Sequence, residues 1–201
     1  LMNKRAWERG EETVNYYVKY VESVIEHLGD LCSLYVTINE PMVYVYSVYL
    51  EQIYPLAKNS PVKAFKVLKY LAQAHVQAYE RIHAIREQRN FPGTTMVGTA
   101  KHCRNFDPLN PESKLDNYLA NTLNKVFNHL FVDAVMSGEY RYPFLSFKEK
   151  LYGPTKALDY YGLNYYTRDM VQFDIANPGE MFMKLLAKQG AVQNDMDWEI
   201  Y

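Results

Sequence analysis

The chain has 201 residues, 48% of them apolar and 22% charged, which is typical of a globular protein with one ordinary core. Its 22 basic residues balance 23 acidic ones, which disfavours nucleic acid or an anionic membrane surface as a partner. No apolar run approaches the roughly 20 residues that span a bilayer, and the N-terminal residues lack the apolar core of a signal peptide, so we expect a cytoplasmic protein.

The first half of the chain predicts a helix, a strand and a second helix. Apolar residues recur at helical spacing over residues 11–28, and Gly29 is placed to end that helix. The run 31–38 has no polar face, which is typical of a strand covered on both sides. A Ser-Pro pair then opens a second helix over residues 60–88, whose apolar stripe continues without a break.

The second half continues the alternation of strands and helices. The apolar run 94–100 predicts a strand, followed by a polar loop with two prolines. A third helix is expected over residues 116–138, and a third strand over residues 157–166. A short helix is predicted over 178–188, followed by an irregular tail.

This alternation predicts a parallel α/β architecture, either doubly wound or a barrel. No glycine-rich phosphate motif follows a strand, which argues against the nucleotide-binding doubly wound folds. Polar residues follow or end each predicted strand, and active sites of β/α barrels gather at that rim. These residues are Asn39 and Glu40, Lys101 and His102, and Asn164 and Tyr166. We therefore predict part of a (β/α)8 barrel, with about three strands and their helices.

Cysteine and histidine spacing predicts neither a metal centre nor a disulfide. Cys32 and Cys103 fit no metal-ligand spacing and no disulfide framework, and we expect free thiols. His75 lies on the apolar stripe of the second helix, so we interpret it as a core histidine, or as one that contacts site residues from behind, and not as a catalyst.

Two residues at the end of the first strand have suitable chemistry for cleaving a glycosidic bond. A carboxyl group at the mouth of a buried cleft, such as Glu40, can stay protonated and protonate a leaving group. The amide of Asn39 can bind a sugar hydroxyl as donor or acceptor. Glycosidic cleavage normally needs two carboxylates. The pattern alone leaves Glu40 open between this role and that of a residue beside a helix N-cap or a solvated loop charge.

The stretch YVTINEP, residues 35–41, resembles the Thr-x-Asn-Glu-Pro motif of family 1 glycoside hydrolases, the β-glucosidase and β-galactosidase family. Further segments resemble that family in the same order, which is more specific than one motif. They are GDLCSLYVTINEP, PVKAFKVLKYLAQAHVQAYERIH, MVGTAKHCRNFDP, FNHLFVDAVMSGEY, LDYYGLNYYTR and NDMDWEIY. The resemblance implies that residues 1–201 are a single partial barrel domain with strands four to six, lacking the first three and last two strands.

The resemblance also implies roles for individual residues. Glu40 matches the family's general acid/base, and Asn39 matches the amide that binds the 2-hydroxyl of the cleaved sugar. Tyr166 matches the tyrosine that orients the nucleophile, and Asn164 matches an asparagine that lines the pocket. His102 stands where many members have asparagine, so it either lies near the leaving-group subsite or is a loop histidine without a ligand role.

The implied function is that of a retaining β-glycosidase that acts on β-linked glycosides without a metal or organic cofactor. The family's nucleophile lies in a Thr-Glu-Asn-Gly segment that this sequence does not contain, so complementary barrel segments must come from the same longer chain or a second chain. The remaining acids do not match that position; examples are Glu51, Asp107, Asp159 and Glu199. An alternative is an inactive barrel fragment that acts as a weak sugar-binding or interaction module. Another retaining barrel glycosidase is a weaker alternative, against which the GLNYY segment argues. The identity of the sugar stays open.

Overall fold

Helices and strands alternate in the computed structural model, which describes residues 6–51, 59–178 and 181–201. The helices are α1 (Glu11–Leu28), α2 (Pro41–Tyr49), α3 (Pro61–Gln88), α4 (Lys114–Leu123) and α5 (Leu130–Ser137), with a π-helical segment (Asn124–His129) between α4 and α5. The strands are β1 (Leu34–Asn39), β2 (Met96–Pro108), β3 (Glu139–Arg141), β4 (Lys148–Lys150), β5 (Tyr160–Phe173) and β6 (Met183–Leu186). Hydrogen-bonded neighbours give the sheet order β1-β2-β5-β6, and β3 pairs with β4 separately.

The two long helices lie where the sequence predicts them. α1 ends at Leu28, and Gly29 follows with its backbone N–H donating to the Ile25 carbonyl at 2.9 Å. A Cβ at Gly29 would lie 2.4 Å from that carbonyl oxygen, so the close approach requires glycine. α3 begins after Ser60, whose side chain accepts a hydrogen bond from the backbone N–H of Lys63.

Helix α2 is absent from the predicted elements. Its sequence, PMVYVYSVY, is rich in β-branched and aromatic residues and shows no amphipathic period. Most of its residues are buried, and a helix that is apolar all round is typical of a buried one. Pro41 occupies the first turn, where its fixed backbone angle suits a helix start. Burial therefore decides the conformation of this segment against its local propensity.

The strands differ from their predicted limits. β1 begins at Leu34, and Leu34 and Val36 are 57% and 51% exposed, so the prediction that this strand is covered on both sides is wrong for this chain. β2 continues to Pro108, so only residues 109–113 of the predicted polar loop are irregular, and Lys101 and His102 lie inside β2, not after its end. β5 lies at Tyr160–Phe173, later and longer than predicted.

The predicted helix over 178–188 is wrong. Residues 179 and 180 lie outside the described residues, and Met183–Leu186 form β6, antiparallel to β5. Met170 pairs with Leu186 and Phe173 with Met183, so ladder hydrogen bonds to β5 outweigh local helix propensity. The β3–β4 hairpin was not predicted from the sequence either.

The third predicted helix, 116–138, is present but is interrupted by the π-helical segment Asn124–His129. Within that segment, the side-chain amide of Asn128 donates to the Arg104 carbonyl at 2.8 Å and accepts from the Arg104 N–H at 3.2 Å. The wider turn thus ties the helix to the backbone of β2, as π-bulges with a structural purpose do.

The chain divides into two compact units. The first unit contains Leu1–Lys101 and Phe131–Gly162, and the second contains His102–Leu130 and Leu163–Tyr201. Strands β2 and β5 each run from one unit into the other. The core of the first unit packs α1 against α3 and β2 through Val21, Ile25, Ala78, Ile82, Ile85 and Val97. In the second unit, Phe106 and Phe127 are buried, with ring centroids 5.6 Å apart.

Three further properties concern the described residues. Neither Cys32 nor Cys103 forms a disulfide within the described residues. Over residues 6–51, 59–178 and 181–201, no group of three or more His, Cys, Asp or Glu side chains could hold a metal ion. None of the helices in that part of the chain combines the length and the apolar character that crossing a membrane requires.

Candidate functional site

The end of β1 carries the two first-unit residues that the sequence singles out. Asn39 is the last residue of the strand and pairs with Ala100 of β2. Glu40 follows as the residue before helix α2, and its backbone N–H donates to the Ala100 carbonyl at 2.7 Å. A strand end therefore holds a half-buried carboxyl group beside an exposed amide.

Glu40 has an unusual backbone conformation. Its φ of 48° and ψ of 56° lie in the left-handed region, which costs a residue with a side chain roughly 1–2 kcal/mol. The chain turns there from β1 into α2, and Pro41 fixes the first helical residue. Strain of this kind persists where surrounding contacts hold it and often marks functional residues. The conformation points to Glu40 as a residue whose position matters.

A β-bulge lies immediately before this turn. β1 advances three residues from Val36 to Asn39, while β2 advances two from Gly98 to Ala100. One extra residue in β1 changes which face of the sheet the following side chains take. Asn39 and Glu40 follow the extra residue, and bulges beside active sites commonly re-aim side chains in this way.

Side-chain hydroxyl groups satisfy backbone carbonyls of β1 around the bulge. The donors are two tyrosines and a threonine from other elements of the first unit, each within 2.9 Å of its acceptor. The pairs are Tyr160 with the Tyr35 carbonyl, Tyr17 with the Thr37 carbonyl and Thr99 with the Ile38 carbonyl. The bonds to the Thr37 and Ile38 carbonyls serve backbone groups inside the bulge, and the two tyrosine donors account for part of the high tyrosine content.

The second unit contains the other three predicted site residues. The ring of His102 on β2 lies edge-on to Tyr166 of β5, with centroids 5.0 Å apart, and also contacts Phe127 at 5.7 Å. Tyr166 in turn meets Trp198 at 5.8 Å. Asn164 precedes Tyr166 by two positions in β5, so both side chains take the same face of the strand. The structure thus brings Asn39 together with Glu40, and His102 together with Tyr166.

Ion pairs that were not predicted from the sequence hold residues near Tyr201. Arg168 donates to both carboxylate oxygens of Glu199, at 3.0 and 2.8 Å, and to Asp107 at 2.8 Å. Its guanidinium group also lies 3.9 Å from the ring centroid of Tyr201. The hydrogen bonds from Arg168 hold the pKa of Glu199 below its usual value. Arg168 is visible in the sequence as a basic residue, but Asp107 and Glu199 are distant from it in sequence, so the ion pairs could not be predicted.

Asp159 is also engaged in structural contacts. Its carboxylate accepts hydrogen bonds from the Tyr79 hydroxyl at 2.7 Å, the Val97 backbone N–H at 2.8 Å and His83 at 2.8 Å. Burial opposes ionisation, yet these bonds together keep the pKa of Asp159 below its usual value. The contact ties the start of β5 to α3 and β2.

Comparisons with known proteins cover the whole chain. A family model described as Glycosyl hydrolase family 1 matches residues 1–201. The chain is 25% identical over its full length to a β-glucosidase of an Agrobacterium species, of which it covers 44%. It is 28% identical over 86% of its length to a β-galactosidase of Pyrococcus woesei, of which it covers 35%.

Solved structures give the same result. A β-glycosidase from Pyrococcus horikoshii superposes on the whole chain with a TM-score of 0.83 and 33% identity, and the chain covers 44% of it. A β-glucosidase from Thermotoga maritima in complex with glucoimidazole gives a TM-score of 0.77 at 23% identity, with 45% of that chain covered. The chain therefore spans less than half the length of the relatives it matches.

Proposed function

Because this chain belongs to glycosyl hydrolase family 1, we propose that it is the central part of a retaining β-glycosidase. Its α/β fold, with an open sheet, is that of part of a (β/α)8 barrel. We assign residues 1–201 to one partial barrel domain that carries strands four to six of eight. The exposed Leu34 and Val36 of β1 support this assignment, because apolar strand faces in a barrel are covered by neighbouring segments.

In this proposal Glu40 is the general acid/base. It protonates the glycosidic oxygen while a glutamate from another barrel segment bonds to the anomeric carbon, and the bond from that carbon to the leaving group breaks. Water then attacks the same carbon, the bond to the glutamate breaks, and Glu40 takes the proton of the water. The left-handed conformation of Glu40 at the carboxyl end of β1 is the observation that carries this assignment.

The remaining predicted residues receive supporting roles. The Asn39 amide binds the 2-hydroxyl of the sugar, and Asn164 lines the pocket. Tyr166 orients the nucleophile through its hydroxyl group. His102 supports Tyr166 by ring contact, since the two rings lie 5.0 Å apart edge to face, a stabilising arrangement for aromatic pairs.

The proposed ligand is a β-linked glycoside. Support comes from the similar β-glucosidase of Thermotoga maritima, whose structure was solved in complex with glucoimidazole. Complementary barrel segments are the proposed partners, because the matched relatives are more than twice as long as the matched region.

Complementation tests this proposal. The chain is joined to, or coexpressed with, the first three and last two strands of a family member, and hydrolysis of an aryl β-glucoside is measured. Glu40→Gln should lower kcat by about 10²–10⁴, the usual contribution of a general acid/base. Glu112→Gln is the matched control, because Glu112 is an exposed loop residue of the same type. A folded, active barrel that is indifferent to Glu40→Gln would contradict the assignment.

The alternative function is a weak sugar-binding or interaction module without catalysis. The exposed apolar side chains of β1 favour it, because they offer a surface for another chain. The same experiment separates the two: a well-folded complemented barrel that binds glycosides but hydrolyses none supports the module.

A further inference from the structure

We propose that His75 is a positioning residue for Glu40, acting through Thr37 and the bulge in β1. This inference rests on the proposed function, because it assigns a purpose to the support of a carboxyl group whose catalysis is itself proposed. The residues that carry it all belong to the first unit.

His75 is fully buried on α3 and bonds at both ring nitrogens. Nε2 lies 2.5 Å from the Ala157 carbonyl oxygen, and Nδ1 lies 2.6 Å from the Thr37 hydroxyl. A carbonyl oxygen can only accept, so Nε2 carries the hydrogen and Nδ1 accepts from Thr37. Burial lowers the pKa of His75 to about 4, which keeps the imidazole neutral and this arrangement intact near neutral pH.

Thr37 stands inside the bulge, where the ladder between β1 and β2 is interrupted. The regular register stops at Val36 and resumes at Asn39. The hydroxyl of Thr37 has one hydrogen, which serves the 2.6 Å contact with His75; the Gly98 carbonyl at 3.2 Å is its longer alternative. The side chain of Thr37 therefore anchors β1 at the place where backbone pairing does not.

The anchor itself is rigid. α3 has 28 residues and packs along α1, and the ring of Phe131 lies edge-on to His75 with centroids 5.9 Å apart. A planar imidazole held at both nitrogens and on one edge has little freedom to move. The restraint passes from α3 through His75 to Thr37, and Glu40 follows three residues later with its N–H on Ala100.

Amide hydrogen exchange at Glu40 tests the restraint without any catalysis. Thr37→Val removes the hydroxyl of Thr37, and His75→Gln removes the Nδ1 acceptor of His75. Thr37→Ser retains the hydroxyl, and His75→Asn retains a hydrogen-bond acceptor in place of Nδ1. We expect exchange of the Glu40 amide to rise about tenfold in the first pair and to stay within about twofold of the parent in the second. Thr122→Val is the matched control, because its hydroxyl donates to the Tyr118 carbonyl on α4, outside the first unit.

Equal exchange at Glu40 in all four variants and the parent would overturn the proposal. Should His75→Gln fail to fold, Thr37→Val against Thr37→Ser decides the result alone, because neither changes the buried imidazole.

Kinetics in the complemented barrel give the second readout. Thr37→Val should lower kcat about tenfold with KM changed less than about twofold, and Thr37→Ser should restore kcat, because misplacing an acid affects the chemical step more than binding. If the barrel is active and Thr37→Val leaves its kcat unchanged, the positioning role is contradicted, whereas the proposed function is not affected. A folded barrel that hydrolyses no β-glycoside contradicts the proposed function, and the exchange result then still decides whether His75 and Thr37 hold Glu40.

Discussion

The end of β1 and the outer part of β5 are held by different chemistry. Around the β1 bulge, neutral donors such as the Thr99 hydroxyl satisfy the strand's carbonyls, and His75 bonds Thr37 in its neutral form. In β5, Arg168 is fixed by two carboxylates through a bidentate pair and a second ion pair. The end of β1 is thus held by hydrogen bonds between neutral groups, and the outer part of β5 is held by ion pairs.

This difference has a physical consequence for each region. The hydrogen bonds around the β1 bulge join neutral groups, so their strength depends little on ionic strength. Ion pairs hold more strongly but depend on pH and salt. The two regions should therefore respond differently to substitution, pH and ionic strength.

The largest effect is expected from Arg168→Met. The side chain of Glu199 is 7% exposed, so loss of Arg168 leaves a carboxylate with little access to water and without its counter-charge, and the free energy of unfolding should fall markedly. Urea unfolding measures the change in the free energy of unfolding. Arg168→Lys retains the positive charge but not the forked guanidinium geometry, so its free energy of unfolding should fall less. A free energy of unfolding that Arg168→Met leaves unchanged would mean that the ion pairs contribute little.

Acid should weaken the β1 region before the β5 region. The pKa of His75 is about 4 in the folded chain against 6.5 for the free side chain, so its stabilisation is complete above pH 6.5 and is lost as pH falls towards 4. The loss amounts to about 3 kcal/mol. For Glu199, whose pKa is lowered, stabilisation is present above its unfolded value of 4.5 and disappears as pH falls below it.

Denaturant unfolding at pH 7, 5 and 4 checks this order. His75→Asn should remove the fall in the free energy of unfolding that His75 causes between pH 6.5 and 4, whereas Arg168→Met should retain that fall. Parallel curves for His75→Asn and the parent would show that the imidazole does not titrate as described.

A smaller effect is expected where β5 packs closely on β2. A Cβ at Gly98 would lie 2.5 Å from the Tyr160 carbonyl oxygen and 2.8 Å from its ring, so Gly98→Ala should cost about 1–3 kcal/mol. The displaced Tyr160 would also loosen its bond to the Tyr35 carbonyl. Gly162→Ala is the graded control, because its nearest atom is 3.1 Å away. Equal thermal stability of the two variants would argue against this close packing.

The smallest effect is that of salt. Raising NaCl to 1 M shortens the Debye length to about 3 Å and should reduce the loss of stability caused by Arg168→Met only slightly, since both side chains have little solvent exposure. The loss caused by Thr37→Val should not change. Matched salt series of urea unfolding measure both, and a salt-sensitive Thr37→Val would contradict a neutral network.

The long helices were predictable because their signals are local. Regular apolar spacing with Gly29 after α1 and the Ser60 cap before α3 are visible in the sequence. Helix α2 was not, because its β-branched and aromatic residues become helical only through burial. The segment of β6 was predicted as a helix, because its pairing with β5 forms only in the folded chain and leaves no local signal in the sequence.

The candidate site likewise has features that the local sequence predicts and features that depend on the fold. Asn39 and Glu40 are found from the motif at the end of an apolar run, since the polar ending is local. The bulge cannot be found that way, because it is a relation between β1 and β2. The left-handed conformation of Glu40 follows from contacts on both sides of it. The pair of Arg168 with Glu199 joins residues 31 positions apart.

The dependence of Glu40→Gln on the leaving group tests the central claim most directly. In the complemented barrel, kcat/KM is compared for a 2,4-dinitrophenyl β-glucoside, whose leaving group needs no protonation, and an alkyl β-glucoside, whose leaving group does. If Glu40 is the general acid, Glu40→Gln lowers kcat/KM about 10²–10⁴-fold for the alkyl glucoside and far less for the dinitrophenyl one. Equal losses for both substrates, or no loss for either, would contradict the claim.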